Sequence, residues 1–195
     1  MSTAPDLGEL FRRRQEGDGS TTSGLVSDSP LWSLRYWDNA RGRTRRLVAL
    51  IPADRVEWAP APGRLTCGDL VRHLAAIERW MFAENVSGRP SRYPGHDESL
   101  ASGVEALLAF HDRMHADAMV VFAALTPEQL AARCETPGGA SLPAWKWLRS
   151  MVEHEAHHRG QLYTYLGLLG VPTPPLYGLT EEEVKARSTG RLPTG

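Results

Sequence analysis

The sequence is poor in cysteine and has no long apolar run. Its two cysteines, Cys67 and Cys134, do not form a Cys-x-x-Cys pair, so we expect no disulfide framework and a reducing, cytoplasmic location. No stretch of about 18 apolar residues occurs, so we expect no transmembrane helix. The N-terminal residues lack the apolar segment of a secretory signal, so secretion is not expected either.

An excess of charge of one sign is also absent, because the formal net charge is −1. We therefore expect neither nucleic acid nor an anionic membrane as the main partner. Lysine is scarce, with 2 residues against 20 arginines. Since lysine codons are AT-rich, this bias indicates a high-GC genome.

Apolar residues make up 42% of the chain, which is enough for one domain with a sizeable core. Residues 1–30 are polar and rich in glycine, serine and threonine, so we expect a partly flexible N-terminal extension. Helical periodicity predicts four long helices, followed by a short helix after Thr180 and a tail at 188–195. The four lie at about residues 31–50, 66–85, 99–125 and 143–169, with 134–142 as a loop. The sequence thus predicts an all-α antiparallel four-helix bundle over residues 31–187.

The strongest chemical signal is a group of three histidines in residues 153–161. His154 and His158 are spaced i,i+4, so a helix presents both imidazoles on one face, as it does for a metal ion. On the second predicted helix, His73 shares an apolar stripe that should face the core. Three histidines leave one coordination position open, which is typical of catalytic zinc sites. We predict His73, His154 and His158 as metal ligands.

Alternative interpretations exist for the other residues of these stripes. The predicted inward stripe of the fourth helix contains Trp147, Met151, His154, His158, Gln161 and Tyr165. His73 alone could be a hydrogen-bonded core residue, and His111 and His115 form a rival i,i+4 pair on the third helix. His157 points about 100° away from the predicted ligands, so we expect it at the surface or behind them. Glu153 and Glu155 are expected off the ligand face, and a metalloprotease is not favoured.

Several segments resemble the DinB superfamily, also called DinB/YfiT-like, over about residues 31–187. They are His-Glu-Ala-His-His-Arg-Gly-Gln-Leu at 154–162, residues 168–180, and Asp69-Leu70-x-x-His73-Leu74 with Glu78. The resemblance implies a four-helix bundle, a zinc or nickel ion on His73, His154 and His158, and often a homodimer. Members of this family include bacillithiol and mycothiol S-transferases, a mycothiol-dependent isomerase and many proteins of unknown activity.

The expected function is a divalent-metal-dependent enzyme that acts on a small molecule. The leading hypothesis is a thiol S-transferase of mycothiol or bacillithiol type, in which the metal presents a thiolate to an electrophile. The arginine bias favours mycothiol if the source is an actinobacterium. Arg159 is a candidate for an anionic substrate group, with a surface salt bridge as the alternative. Gln161 and Tyr165 are candidates to line the pocket, with core packing as the default interpretation of Tyr165.

Two other functions stay open at this stage. One is a metal-dependent hydrolase or isomerase that uses metal-bound water. The other is a non-enzymatic, stress-related or small-molecule-binding bundle.

Overall fold

The computed structural model describes residues 34–190. The predicted extension at 1–30 and residues 191–195 of the tail lie outside the described residues. The helices are α1 (Leu34–Val48), α2 (Cys67–Ile77), α3 (Ala83–Val86), α4 (Val104–Ala123), α5 (Pro127–Ala131), α6 (Ala144–Leu168) and α7 (Glu181–Ser188). Two short strands, β1 (Arg133–Glu135) and β2 (Ser141–Pro143), pair antiparallel. Most of the described chain is therefore helical, as predicted.

Capping boxes fix the starts of three helices. At α2, the Thr66 hydroxyl accepts a hydrogen bond from the backbone N–H of Asp69 at 2.9 Å. The Asp69 carboxylate accepts one from the backbone N–H of Thr66 at 3.0 Å. The same reciprocal pairing begins α5 at Thr126 and α7 at Thr180. These bonds satisfy N–H groups that a helix start leaves unpaired, so they determine where each helix begins.

A π-helical turn, Glu78–Phe82, joins α2 to α3. The prediction of one uninterrupted helix over 66–85 is therefore wrong in its interior. A π turn adds one residue to the helical repeat and changes which side chains face the core after it. Here both Glu78 and Phe82 are buried, and Glu78 becomes part of a polar cluster described below.

The prediction of a loop at 134–142 is wrong at its two ends, which belong to β1 and β2, whereas residues 136–140 form the turn of this hairpin. Cys134 pairs with Leu142 across the two strands, and the Thr136 N–H donates to the Ala140 carbonyl at 2.9 Å. Gly139 has a φ of 79° in the turn, a conformation that favours glycine. Strands of three residues are too short to show a clear period of two in the sequence.

The long helices pack in pairs around the core. Helix α1 packs on α4 and α6, and α2 packs on the same two helices. The inward face of α6 is rotated about the helix axis, by about one residue position, from the stripe that the sequence predicts. Its buried side chains are those of Ala144, Leu148, Met151, Glu155, Arg159, Leu162, Tyr165 and Leu166. His154, His158 and Gln161 are half-buried at the edge of this face.

Within 34–190, no helix is both long enough and apolar enough to span a membrane.

Candidate metal centre

The three predicted ligands meet between α2 and α6. His73 projects from α2, whereas His154 and His158 project from successive turns of α6. One ring nitrogen from each histidine lies within 4.8 Å of the other two. Nε2 of His73 is 2.9 Å from Nε2 of His154. No other His, Cys, Asp or Glu joins this group among residues 34–190, so three protein ligands would leave one position open.

Hydrogen bonds orient two of the three imidazoles. Nδ1 of His158 lies 2.7 Å from Oε1 of Gln161. Because an amide oxygen only accepts, this Nδ1 carries the hydrogen, and Nε2 of His158 has its lone pair free for a metal ion. Nδ1 of His73 lies 2.7 Å from the Tyr93 hydroxyl, which in turn lies 3.0 Å from Nδ1 of His96. Partners of this kind fix the tautomer and the ring orientation of histidine ligands.

The three imidazoles are neutral at physiological pH. Burial, followed by the nearby His158 and His96, lowers the pKa of His73 to about 4. Burial, followed by His158, His73 and Arg41, lowers the pKa of His154 to about 3. Burial also lowers the pKa of His158. Neutral imidazole is the form that binds zinc or nickel, so the donor set fits such an ion.

An open cavity of about 710 Å³ adjoins His158. The loop residues Pro60, Gly63, Arg64 and Leu65 form one wall, and the outer side of α6 from His157 to Tyr165 forms the other. Gln161 and Tyr165 both line it, and Tyr165 also packs in the core at 8% exposure, so their roles in binding stay predictions. None of the lining residues is acidic, and Arg64 supplies a positive charge. The sequence does not single out Arg64, because its loop has no periodicity to show which way the side chain faces.

A family model described as the DinB superfamily matches residues 36–162. The chain belongs to the DinB superfamily. It is 24% identical over 140 residues to the uncharacterized protein YjoA of Bacillus subtilis, a match that covers 70% of this chain and 88% of that protein. The crystal structure of that DinB-like protein covers 73% of this chain and 94% of its own, with 22% identity and a TM-score of 0.62. A DinB-like protein from Bacillus cereus covers 73% and 93%, with 17% identity and a TM-score of 0.61. The two structures show that the fold is shared.

The remaining histidines of this DinB chain lie outside the three-histidine group. His157 is exposed and faces the cavity. The rival pair is buried on α4, where Nδ1 of His115 lies 3.0 Å from Oε1 of Glu78 and Nδ1 of His111 lies 3.2 Å from Asp112. Burial opposes the charged form of His115, but Glu78 and Asp38 outweigh it and raise its pKa to about 9. The rival pair therefore contacts carboxylates and does not extend the group.

Arg159 is buried on α6 and makes no surface salt bridge with the part of the chain that the structure describes. Its guanidinium donates hydrogen bonds to the Ala40 carbonyl at 3.4 Å and to the Tyr177 hydroxyl at 3.3 Å. These partners lie on α1 and in the segment after α6. A role of Arg159 in binding an anionic substrate stays a prediction.

Residues 154–158 spell His-Glu-x-x-His, the pattern in which a zinc protease uses the glutamate as its general base. In this chain Glu155 is 6% exposed, and its carboxylate is held by Arg41 and Thr44 in the core. It faces away from the cavity, on the opposite side of α6 from His157. The geometry therefore does not support a zincin-like role for Glu155.

The residue pattern alone does not show that Glu155 and Glu78 share a buried partner, Arg41 of α1. A signal was present in the sequence. Arg41 and Thr44 follow Trp37 at spacings of four and seven residues, so they occupy the apolar stripe of their helix. Charged residues at such positions indicate a buried ion pair, although the stripe does not identify the partner.

Proposed function

We propose that this chain is a divalent-metal-dependent enzyme that transfers a low-molecular-weight thiol of mycothiol or bacillithiol type to an electrophile. His73, His154 and His158 hold the metal, which is zinc or nickel. The observation that carries the proposal is the convergence of three neutral imidazole nitrogens, with one of the three histidines, His158, lining an open cavity of about 710 Å³. The donor set fits a metal with an open position, and the cavity is large enough to hold a small molecule next to His158.

A metal ion in this centre would lower the pKa of a bound thiol and favour its thiolate form. The cavity wall would orient the rest of the thiol and the electrophile. Gln161 and Thr164 offer hydrogen bonds there, and Arg64 attracts a negatively charged group. Gln161 has a second role, because its carbonyl already holds Nδ1 of His158. The bound substrates and one ligand are thus positioned by the same turn of α6.

The chain's own cysteines support an external thiol as the nucleophile. Cys67 and Cys134 are both buried. Burial raises the pKa of Cys67 to about 11 and also raises the pKa of Cys134. Reactive cysteines have lowered pKa values and solvent access, and neither residue has these properties. A thiolate for this reaction would therefore come from a small-molecule cofactor.

A metal-dependent hydrolase or isomerase is the second candidate, favoured by one observation. His157 is exposed and lines the cavity next to the ligand His158. An imidazole in this place could accept a proton from a water or from a substrate carbon. Turnover of esters or amides without added thiol, abolished by His157→Gln, would select this candidate over the transferase.

Three finer features also belong to the proposal. The pairwise packing of α1, α2, α4 and α6 supports an antiparallel four-helix bundle of DinB type. The family resemblance favours a homodimer, which light scattering of the purified protein tests directly. The two unpaired cysteines are consistent with a cytoplasmic location.

The decisive experiment combines metal analysis with a conjugation assay. Mass spectrometry of the purified protein should find about one zinc or nickel per chain, and His154→Ala should remove it. The loaded protein should accelerate conjugation of mycothiol or bacillithiol to chlorodinitrobenzene, measured against the uncatalysed rate. The matched control is Glu153→Gln, an exposed position on the same helix next to a ligand. This control should keep both metal and activity.

Each outcome distinguishes among the candidate functions. Full activity after His158→Ala, or after exhaustive chelation, would contradict a metal-dependent transferase. A metal-free protein whose thermal stability is unchanged by added zinc or nickel would support the non-enzymatic alternative. The Cys67→Ala/Cys134→Ala variant should still require added thiol and should keep its rate within about twofold, because neither cysteine touches the cavity.

A further inference from the structure

The two helices that carry the ligands are joined by one buried side chain from a third helix. Arg41 of α1 is 3% exposed. Its Nε donates to Oε2 of Glu78 at 2.8 Å, after the end of α2, and its Nη1 donates to Oε2 of Glu155 on α6 at 2.6 Å. Its Nη2 donates to the Leu74 carbonyl at 2.8 Å and also contacts Glu78. A single planar guanidinium thus connects α2 and α6.

The anchor points of Arg41 lie next to the ligands in the chain. Leu74 directly follows His73, and Glu155 directly follows His154. A shift of either helix relative to Arg41 would therefore move a ligand by a similar amount. The guanidinium has a rigid fork of donors, so it fixes direction as well as distance.

Other polar side chains hold the two carboxylates in place. The Thr44 hydroxyl of α1 donates to Oε1 of Glu155, and Nδ1 of His115 on α4 lies 3.0 Å from Oε1 of Glu78. Asp38 of α1 lies 3.5 Å from Nε2 of His115. The cluster of Asp38, Arg41, Thr44, Glu78, His115 and Glu155 therefore links all four long helices. We call this cluster the polar core.

Stability alone does not explain a polar core of this kind. Taking charges out of water costs free energy that their attraction often fails to recover, and apolar replacements of similar volume are often as stable or more stable. Apolar contacts, however, are non-directional. A metal centre needs its donor atoms placed to within about 0.2 Å, which directional hydrogen bonds provide better than apolar packing.

We propose that Arg41 is a positioning residue of the metal centre, which sets the placement of His73 relative to His154 and His158. This inference rests on the metal-binding part of the proposed function and goes beyond it. Arg41 contributes no ligand and does not line the cavity. Its effect reaches the metal through the positions of α2 and α6.

The test separates metal affinity from folding. In the triple variant Arg41→Met/Glu78→Gln/Glu155→Gln, the guanidinium and the two carboxylates that it contacts are removed together, so neither Glu78 nor Glu155 is left as an unpaired carboxylate, and His115 keeps Asp38 as its charged neighbour. We expect a cooperative thermal transition in the metal-free state, and a zinc dissociation constant raised about 10- to 100-fold, as for loss of an outer-shell partner. The cobalt(II) absorption spectrum should change as well, because it reports ligand geometry and not stability.

A second variant guards against misfolding of the first. Arg41→Lys keeps one charge but cannot donate in parallel to Glu78, Glu155 and Leu74, so it should also weaken zinc binding. The control is Arg45→Lys, whose parent side chain joins α1 to Asp112 of α4 at 2.9 Å, since neither helix carries a ligand. This control should bind zinc as the unmodified protein does.

The outcomes identify which idea has failed. If the unmodified protein does not bind zinc or nickel, the metal centre itself is wrong. If it binds zinc and a folded Arg41 variant binds zinc within about twofold of it, with the same cobalt spectrum, the positioning role is overturned. If neither Arg41 variant folds, the polar core is a requirement for folding and the positioning role is overturned as well.

Discussion

The Tyr93 hydroxyl lies 2.7 Å from Nδ1 of His73, and the two rings meet edge to face with their centroids 5.5 Å apart. For Nε2 of His73 to bind a metal ion, Nδ1 must carry the hydrogen and donate it to this hydroxyl. The hydroxyl hydrogen is then directed to Nδ1 of His96, at 3.0 Å. Metal binding thus specifies a hydrogen-bonded chain with one direction, from the ligand through Tyr93 to His96.

Removing the Tyr93 hydroxyl should weaken metal binding without unfolding the protein. In Tyr93→Phe the ring remains, but Nδ1 of His73 loses its acceptor. We expect the zinc dissociation constant to rise about 10-fold, which is at the lower end of the loss seen when a hydrogen-bond partner of a metal ligand is removed. Competition with a chromophoric chelator measures it, with Tyr163→Phe on the outer part of α6 as the matched control. Equal zinc affinity in the unmodified protein and Tyr93→Phe would show that Tyr93 does not orient His73.

Arg64 should select negatively charged ligands for the cavity. Arg64 supplies a positive charge to the cavity, and none of the residues that line the cavity is acidic. A carboxylate bound there therefore gains an ion pair. For Arg64→Gln we expect the inhibition constant of mercaptopropionate to rise about fivefold, as for a partly solvated pair. The inhibition constant of mercaptoethanol, which is neutral, should stay unchanged. Arg55→Gln, at an exposed arginine that pairs with the adjacent Asp54, is the control. A similar rise for both thiols would remove charge selection as the role of Arg64.

The sequence predicts the three-histidine group better than it predicts the core around it. The i,i+4 spacing of His154 and His158 is a local property of one helix, and it holds in the structure. The partners of Arg41 are 37 and 114 residues away in the chain. Whether a charged residue is buried depends on such distant partners. Two other features depend on distant partners in the same way. They are the rotation of the inward face of α6 and the π turn at Glu78, and both place carboxylates in the core beside Arg41.

His115 should make stability depend on pH in a defined window. Its neighbours are the carboxylates of Glu78 and Asp38, with Arg41 opposing them. Its pKa in the folded protein is about 9, above the ordinary value of 6.5 that applies to the unfolded chain. A raised pKa means that this contribution to stability is fully present below about pH 6.5 and is lost as the pH rises towards 9.

Urea titrations between pH 6 and pH 9.5 test this expectation. The free energy of unfolding of the metal-free protein should fall by about 1–3 kcal/mol over this range. In His115→Gln the amide can still donate to Glu78 but does not titrate, so the curve should be flatter. The difference between the two curves isolates His115 from other groups that titrate there. Parallel curves would show that His115 is not charged in the folded protein.

Gly68 is required by the packing at the start of α2. A Cβ atom at this position would lie 2.9 Å from Oε1 of Glu57 and 3.0 Å from Cγ1 of Val56, and closer still to the Arg72 guanidinium. Arg72 cannot move aside easily, because it is fully buried and donates to the Ala101 carbonyl at 3.0 Å.

Gly68→Ala should therefore lower the free energy of unfolding by about 1–3 kcal/mol, as overpacking does in other cores. The matched control is Gly167→Ala in α6, where nothing lies within 4 Å of the new methyl group. This control should raise stability by about 0.5–1 kcal/mol, because alanine favours the helix over glycine. Since Arg72 also holds the His96 carbonyl at 3.1 Å, Gly68→Ala should disturb the loop that carries Tyr93 and weaken zinc binding too. A Gly68→Ala protein as stable as the control would mean that Arg72 has room to move, and its zinc affinity should then be unchanged.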